Sequence, residues 1–180
     1  MMKLLLDACA LYPTVIRNLL LDVSDELRWE LNWSERILEE WRRASAKTNA
    51  EAEVQAAAEI MMLKVKYPKA IVHNFETHIP KLYLPDQNDV HVLAAAIESN
   101  TNIIVTLNLK DFPNSELVKY GIRAVHPDEL LYKEALDNFD LISNLVGTIL
   151  NDFNSIEANK INEYRLLKKA NLNRLSKLFR

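Results

Sequence analysis

Glycine and cysteine are nearly absent from this sequence, which has two glycines and one cysteine among its 180 residues. A dinucleotide-binding fingerprint or a phosphate-binding P-loop needs several clustered glycines, so both are excluded. The single Cys9 excludes an internal disulfide bond and a metal site made of cysteines alone. We expect Cys9 to be a small buried thiol. Because glycine-rich phosphate-binding motifs are absent, any contact with phosphate must depend on side chains and a metal ion.

Long apolar runs are also lacking. No window approaches the roughly 20 consecutive apolar residues of a transmembrane helix. Asp7 interrupts the apolar N-terminal run before the core of a signal peptide can form. We therefore expect a cytoplasmic protein without membrane association. Apolar residues make up 49% of the chain and charged residues 26%, which is typical of a globular protein with a buried core.

Positive charge is concentrated at the C-terminal end. The net charge is −3, yet residues 160–180 contain seven basic residues and one acid, a balance of +6. The rest of the chain therefore carries −9. A basic tail on an acidic body favours a polyanionic partner, and a solvated helix face explains the same pattern. Both interpretations stay open at this point.

Short apolar segments alternate with segments of helical periodicity up to about residue 130. Strands are predicted at residues 3–8, 28–33, 70–72, 102–109 and 122–125. Helices are predicted at residues 15–21, 34–44, 49–66, 86–97 and within 111–121. This alternation predicts an α/β fold in which right-handed crossovers join parallel strands and helices cover both faces of the sheet.

From about Tyr132 onward the pattern changes to helices alone. Residues 156–180 are predicted to form one long amphipathic helix. We therefore expect a domain of residues 1–131, followed by a helical extension of residues 132–180 that includes the basic tail.

The stretch LPDQNDVHVLAAAI, residues 84–97, places two acids directly before an apolar helix. Asp86 is a natural N-cap, and Asp89 stands where a capping box has its acidic residue, so helix capping explains both. The same carboxylates could instead hold an ion at the start of the helix. This segment alone favours capping, and the other acids of the chain bear on the choice.

Further acids are predicted to meet at the carboxyl ends of the strands, where ligands bind in parallel α/β sheets. Asp7 ends the first strand, while Asn108 and Asp111 follow the segment NIIVTL. In the helix SERILEEW, Glu40 lies beside the apolar stripe, whereas Glu39 points away from it. The candidate ligands are Asp7, Glu40, Asp89 and Asp111, with Asp86 and Asn108 alongside.

Several carboxylates on one edge of a sheet repel one another unless a cation joins them. Oxygen ligands without histidine or cysteine favour Mg²⁺ or Mn²⁺ over Zn²⁺. His91 and His126 have no partner at zinc-ligand spacing, so we expect them to be core or surface residues. The sequence therefore predicts a Mg²⁺ or Mn²⁺ centre.

Four motifs in series resemble those of PIN-domain nucleases, the family of the VapC-type toxins in bacterial and archaeal toxin–antitoxin pairs. They are LLDACALYP, SERILEEW, LPDQNDVHVLAAAI and IIVTLNLKDFP, and they span most of residues 3–130. The resemblance implies a five-stranded parallel sheet between helices, in a three-layer α/β/α sandwich. It also implies an acid quartet that binds Mg²⁺ or Mn²⁺ and an endoribonuclease that cleaves RNA.

The resemblance assigns the first acid of the quartet to Asp7, the second to Glu40 and the third to Asp89. Asp86 lies close to the third. Many relatives have an acid soon after the threonine of the VT strand, where this chain has Asn108. Asp111 then takes the fourth position, with Asn108 as a neutral oxygen ligand. Thr106 is expected to hydrogen-bond a metal-bound water or a phosphate.

The implied partners are an RNA substrate and a cognate antitoxin protein, and a homodimer is left open. An acidic pocket repels RNA, so basic residues elsewhere must bind its backbone. The candidates for that contact are Arg42, Arg43, Lys168 and Lys169. The alternative function is a PIN-like module that binds RNA or protein without cleaving it.

Two other families with acids at strand ends are disfavoured. A receiver domain would need paired acids after the first strand, where Asp7 stands alone. A phosphatase of the haloacid dehalogenase type would need an aspartate at the position of Cys9.

Overall fold

The computed structural model describes residues 1–180 and contains two compact units. They comprise residues 1–12 with 28–125, and residues 13–27 with 126–180. The division of the chain into a domain of residues 1–131 and an extension of residues 132–180 stays a prediction. None of the helices combines the length and the apolar character that a membrane-spanning helix needs.

The first unit contains a parallel sheet of four strands. The strands are β1 Lys3–Leu6, β2 Glu30–Asn32, β3 Ile103–Val105 and β4 Arg123–Val125. Their order across the sheet is β2-β1-β3-β4, and every neighbouring pair is parallel. Residues 4–6 and 103–105 are all buried, which is typical of central parallel strands with apolar contacts on both faces. The predicted α/β fold with a parallel sheet is confirmed.

The prediction of five strands is wrong, because residues 70–72 contribute one isolated bridge instead of a strand. Ile71 pairs in parallel with Trp33, and main-chain hydrogen bonds of 2.9 Å join Trp33 to both neighbours of Ile71. Pro68 has no N–H group with which to extend this pairing. Asn74 then turns the backbone with a φ of 62°. The extended segment between them is too short for a second bridge.

Helices connect the strands and make up the second unit. They are α1 Ala8–Leu11, α2 Thr14–Leu27, α3 Glu35–Ala46, α4 Ala50–Lys66, α5 Val90–Glu98, α6 Asn114–Leu117, α7 Pro127–Asp137, α8 Phe139–Ile156 and α9 Glu163–Lys169. Ser34 caps α3, since its Oγ accepts a hydrogen bond from the Ile37 N–H at 3.2 Å. The side chain of Asn49 caps α4 in the same way, and α4 ends just before Pro68.

The prediction of one long helix over residues 156–180 is wrong. Helix α8 ends at Ile156, and α9 begins only at Glu163. The side chain of Asn154 fixes the connection between them. Its Nδ2 donates to the Ile161 carbonyl at 2.9 Å, and its Oδ1 accepts from the Ile161 N–H at 3.0 Å. A polar side chain that satisfies loop backbone in this way competes with continued helix.

Asp128 in α7 holds the C-terminal segment inside the second unit. Its buried carboxylate accepts hydrogen bonds from the Arg174 N–H at 3.0 and 2.8 Å and from the Leu175 N–H at 3.0 Å. Bonds from main-chain donors to a charged acceptor are stronger than neutral ones. The final 3₁₀ helix, Leu175–Phe179, therefore starts from a fixed point.

Replacing Asp128 with alanine is expected to lower the free energy of unfolding by about 2–3 kcal/mol, because the buried Leu175 N–H and the partly buried Arg174 N–H lose their acceptor. Chemical denaturation measures this loss. Asp137→Ala removes an exposed carboxylate from the same helix and is the matched control, with an expected change within about 0.5 kcal/mol. Equal stabilities of the two variants would contradict the anchoring role of Asp128.

Candidate metal centre

Asp7 lies where β1 ends and is held in one orientation. Its N–H donates to the Val105 carbonyl of β3 at 3.1 Å, which continues the pairing of the two strands. One carboxylate oxygen accepts from the Ala8 N–H at 2.7 Å, which caps α1. The other accepts from the Thr106 hydroxyl at 2.7 Å. Thr106 thus orients Asp7 directly, and its predicted contact with a metal-bound water or a phosphate stays a prediction.

Cys9 extends this network as a hydrogen-bond donor. Its Sγ lies 3.0 Å from Asp7 Oδ2 and accepts from the Leu107 N–H at 3.2 Å. Burial, together with the negative charge of Asp7, raises the pKa of the Cys9 thiol to about 12. The thiol therefore stays protonated at neutral pH, which makes Cys9 a structural residue of the network and a poor nucleophile.

The two acids of LPDQND have separate roles at the start of α5. Asp86 accepts from the Asn88 N–H at 2.9 Å and so caps a 3₁₀ turn, Gln87–Asp89, that precedes the helix. The carboxylate of Asp89 makes no capping hydrogen bond, although Asp89 stands at the N-terminal end of α5. Capping therefore accounts for Asp86 and leaves the carboxylate of Asp89 available to a ligand.

The carboxylates of Asp86, Asp89 and Asp111 converge. One oxygen of each lies within 4.8 Å of the others. Asp111 reaches this point from a 3₁₀ turn after β3, where the side-chain amide of Asn108 donates to it. The side-chain oxygen of Asn108 is an uncharged candidate metal ligand beside the cluster. An arrangement of oxygen donors alone fits a hard cation such as Mg²⁺ or Mn²⁺.

Burial and repulsion within the cluster both disfavour the charged form of Asp89. Burial and then three neighbouring carboxylates raise the pKa of Asp89 from its ordinary 3.8 to about 6, while His91 lowers it. The three carboxylates are those of Asp7, Asp86 and Asp111. A divalent cation would remove this repulsion, so the cluster has the electrostatic character of a cation site.

Glu40 lies outside the group of converging aspartates. Its Oε1 is 3.4 Å from Arg36 Nε and 2.9 Å from His91 Nε2. The His91 ring is 1% exposed, and neither of its nitrogens has a partner aligned for a hydrogen bond. His91 is thus a buried residue of α5 next to Glu40. The sequence analysis expected a core or surface histidine and did not predict its contact with Glu40. Its position two residues after Asp89, on the buried side of α5, was the available signal.

The basic residues predicted to bind RNA differ in their surroundings. Arg42 and Arg43 both donate to Glu39, at distances of 2.8 to 2.9 Å, and Arg42 also pairs with Glu53. Their two guanidinium groups lower the pKa of Glu39 to about 2. Lys168 and Lys169 in α9 are exposed and form no ion pair with a carboxylate.

Replacing Asp89 with asparagine is expected to stabilise the metal-free protein at about pH 7.5. The folded-state pKa of Asp89 is raised, so the cost of charging it is present above about pH 6 and absent below about pH 4. The expected gain is about 1 kcal/mol after allowance for solvent screening of a half-buried group. Thermal unfolding in a chelator measures it.

The pH dependence makes this prediction specific. At about pH 3 the two proteins should unfold at nearly the same temperature, because Asp89 is then mostly protonated in both the folded and the unfolded state. Glu76→Gln, an exposed acid outside the cluster, serves as the control and should change stability by less than about 0.5 kcal/mol. A metal-free Asp89→Asn protein that is less stable than wild type at about pH 7.5 would refute the repulsion.

The chain is similar to known proteins over part of its length. The sequence pattern of the PIN domain matches residues 3–110, which include Asp7, Glu40, Asp86 and Asp89 and end one residue before Asp111. A stretch of 62 residues is 44% identical to the Mycobacterium tuberculosis protein named "Putative ribonuclease VapC50". That stretch covers 34% of this chain and 34% of the relative, so the chain matches about a third of the relative's length. No solved structure matches the chain. The family match covers more than half of the chain, which therefore belongs to the PIN-domain family.

Proposed function

We propose that this protein is a Mg²⁺- or Mn²⁺-dependent endoribonuclease. The observation that supports this proposal best is the convergence of Asp86, Asp89 and Asp111 within 4.8 Å in a chain of the PIN-domain family. The raised pKa of Asp89 adds support, because closely spaced carboxylates are stabilised when a cation lies between them.

The side chains around the cluster would have separate roles in binding the cation and in orienting the attacking water. Asp89 and Asp111 would hold the cation, with Asp7 fixed beside them by Thr106. When bound, a divalent cation lowers the pKa of a coordinated water and offsets charge on the leaving oxygen. Glu40 would orient the attacking water, and Asn108 and Asp86 would supply further oxygen atoms. The predicted quartet of Asp7, Glu40, Asp89 and Asp111 is thus kept as part of the proposal.

The reaction would be an in-line hydrolysis of a phosphodiester bond. The oxygen of water forms a bond to phosphorus while the bond between phosphorus and the 3′ oxygen breaks. The attacking water gives its proton to a carboxylate or to solvent, and the leaving 3′ oxygen takes up a proton. The products are one strand with a 3′ hydroxyl and one with a 5′ phosphate.

The cellular role that we propose is that of a toxin, with a cognate antitoxin protein as its partner. The name of the Mycobacterium tuberculosis relative, a VapC ribonuclease, supports this role for about a third of the chain. A cytoplasmic location and self-association into a homodimer belong to the same proposal. A PIN-like module that binds RNA or protein without cleavage is the second candidate, favoured by the neutral Asn108 beside the cluster.

Cleavage of a labelled structured RNA by purified protein in Mn²⁺ or Mg²⁺ tests the enzymatic function. Asp7→Asn and Asp89→Asn should each lower the rate at least about 100-fold, because each removes a charged oxygen that would hold or face the cation. A chelator should abolish cleavage, and added Mn²⁺ should restore it.

Glu39→Gln is the matched control, since Glu39 is an acid of α3 that pairs with arginines on the surface. Its rate should stay within about twofold of wild type, because it lies outside the cluster. Cleavage that survives both aspartate substitutions would refute the proposed site and indicate a contaminating ribonuclease. A protein that binds Mn²⁺ and RNA but leaves every RNA intact would instead support the module without activity.

A further inference from the structure

The end of the chain carries positive charge that is exposed and unpaired. Seven basic residues lie in residues 160–180, all of them exposed, and Glu163 is the only acid there. They are Lys160, Arg165, Lys168, Lys169, Arg174, Lys177 and Arg180. The ion pairs between basic side chains and carboxylates lie earlier in the chain, and examples are Lys3–Glu30 and Lys133–Glu129. Charge that is not neutralised within the protein is available to a polyanion.

Helix α9 presents part of this charge on one face. At about 100° per residue, Arg165, Lys168 and Lys169 point within roughly 100° of one another. Leu166 and Leu167 point to the other side and are 1% and 0% exposed. The basic face is therefore fixed outward, because the apolar face of the same helix is buried in the second unit.

Aromatic rings stand next to two of these cations. Lys169 Nζ lies 5.4 Å from the centroid of the Phe153 ring. The Arg180 guanidinium lies 5.4 Å from the centroid of the Tyr164 ring, and its Nη2 is 3.5 Å from Tyr164 Oη. Cations beside aromatic faces are the combination with which proteins bind single-stranded nucleic acid, since the cations contact phosphates and the rings stack on bases.

Hydrogen bonds hold the backbone after α9 in place. Lys168 Nζ donates to Asn173 Oδ1 at 2.7 Å, so the following turn folds back on α9. The buried carboxylate of Asp128 holds the N–H groups of Arg174 and Leu175. Because the chain is already fixed, little backbone entropy is lost when a ligand binds.

We propose that a larger basic surface, made of the exposed cations of residues 160–180 with Phe153 and Tyr164, binds the backbone of single-stranded RNA. The inference rests on the proposed ribonuclease function. It adds a surface that binds the substrate to the carboxylate cluster that would cleave it. The cluster repels phosphate, and Arg42 and Arg43 are already paired with Glu39, so affinity for RNA needs another source. The contacts are to phosphates and ring faces, so binding should depend little on sequence.

Fluorescence anisotropy with a labelled single-stranded RNA, in a chelator, tests this proposal without cleavage. The protein carries Asp7→Asn, and the test variant adds Arg165→Gln, Lys168→Gln and Lys169→Gln. Loss of three phosphate contacts should weaken binding at least about 10-fold at low salt. It should also flatten the slope of log affinity against log salt concentration by roughly 2, at about 0.7 per contact.

The matched control replaces Lys64, Lys119 and Lys133 with glutamine, which removes the same net charge from lysines that are paired with carboxylates. Its affinity for RNA should stay within about twofold of the parent, and its salt slope should not change. Equal losses in the two triple variants would overturn the proposal, because only net charge would then matter. An unchanged affinity in the α9 variant would overturn it as well.

Two further measurements separate the alternatives. Poly-glutamate that displaces the RNA at equal charge concentration would overturn the proposal in favour of an acidic protein partner. In protein with the native Asp7, the α9 triple substitution should raise KM and leave kcat unchanged. If the proposed ribonuclease function is wrong, neither the parent protein nor the triple variant will cleave RNA. Binding in the chelator stays measurable in that case, so the two failures are distinct.

Discussion

The parallel pairing of β1 with β3 is the constraint on which the site depends. It brings the carboxyl ends of two distant segments side by side, so Asp7 and Thr106, 99 positions apart, share a 2.7 Å hydrogen bond. The same bond and the capping of α1 leave Asp7 one orientation. The turn after β3 then delivers Asp111, and the turn before α5 delivers Asp89, to a common point.

The convergence of carboxylates has a cost that the fold does not relieve by itself. Burial and then the neighbouring carboxylates raise the pKa of Asp89 to about 6, and His91 offsets only part of this rise. Glu39, in contrast, is held by two arginines that lower its pKa to about 2. The carboxylates of Asp89 and Glu39 thus lie in opposite electrostatic surroundings, and Asp89 is the one in the predicted position of a metal ligand. A carboxylate whose pKa is shifted by burial and by like charges is a candidate for a functional site.

The parallel strands that position the candidate site could be predicted from the sequence, because the apolar segments and the acids that follow them can be read directly from it. Apolar runs that end in Asp7 and before Asn108 indicated strands whose carboxyl ends meet. The single bridge at Ile71 and the break after Ile156 could not be predicted, since they depend on two backbone hydrogen bonds and on the side chain of Asn154. The contact of His91 with Glu40 was also missed, because it joins two helices whose facing sides the sequence does not specify.

Calorimetric titration of the purified protein with Mn²⁺ tests the central claim most directly, that the converging aspartates form a cation site. The wild-type protein should bind Mn²⁺ with a saturable heat, and Asp89→Asn should lose at least about 10-fold in affinity, since a charged ligand becomes neutral. Glu39→Gln should bind as wild type does. Equal binding by wild type and Asp89→Asn would contradict the account, because the cluster would then be a set of surface acids without a ligand.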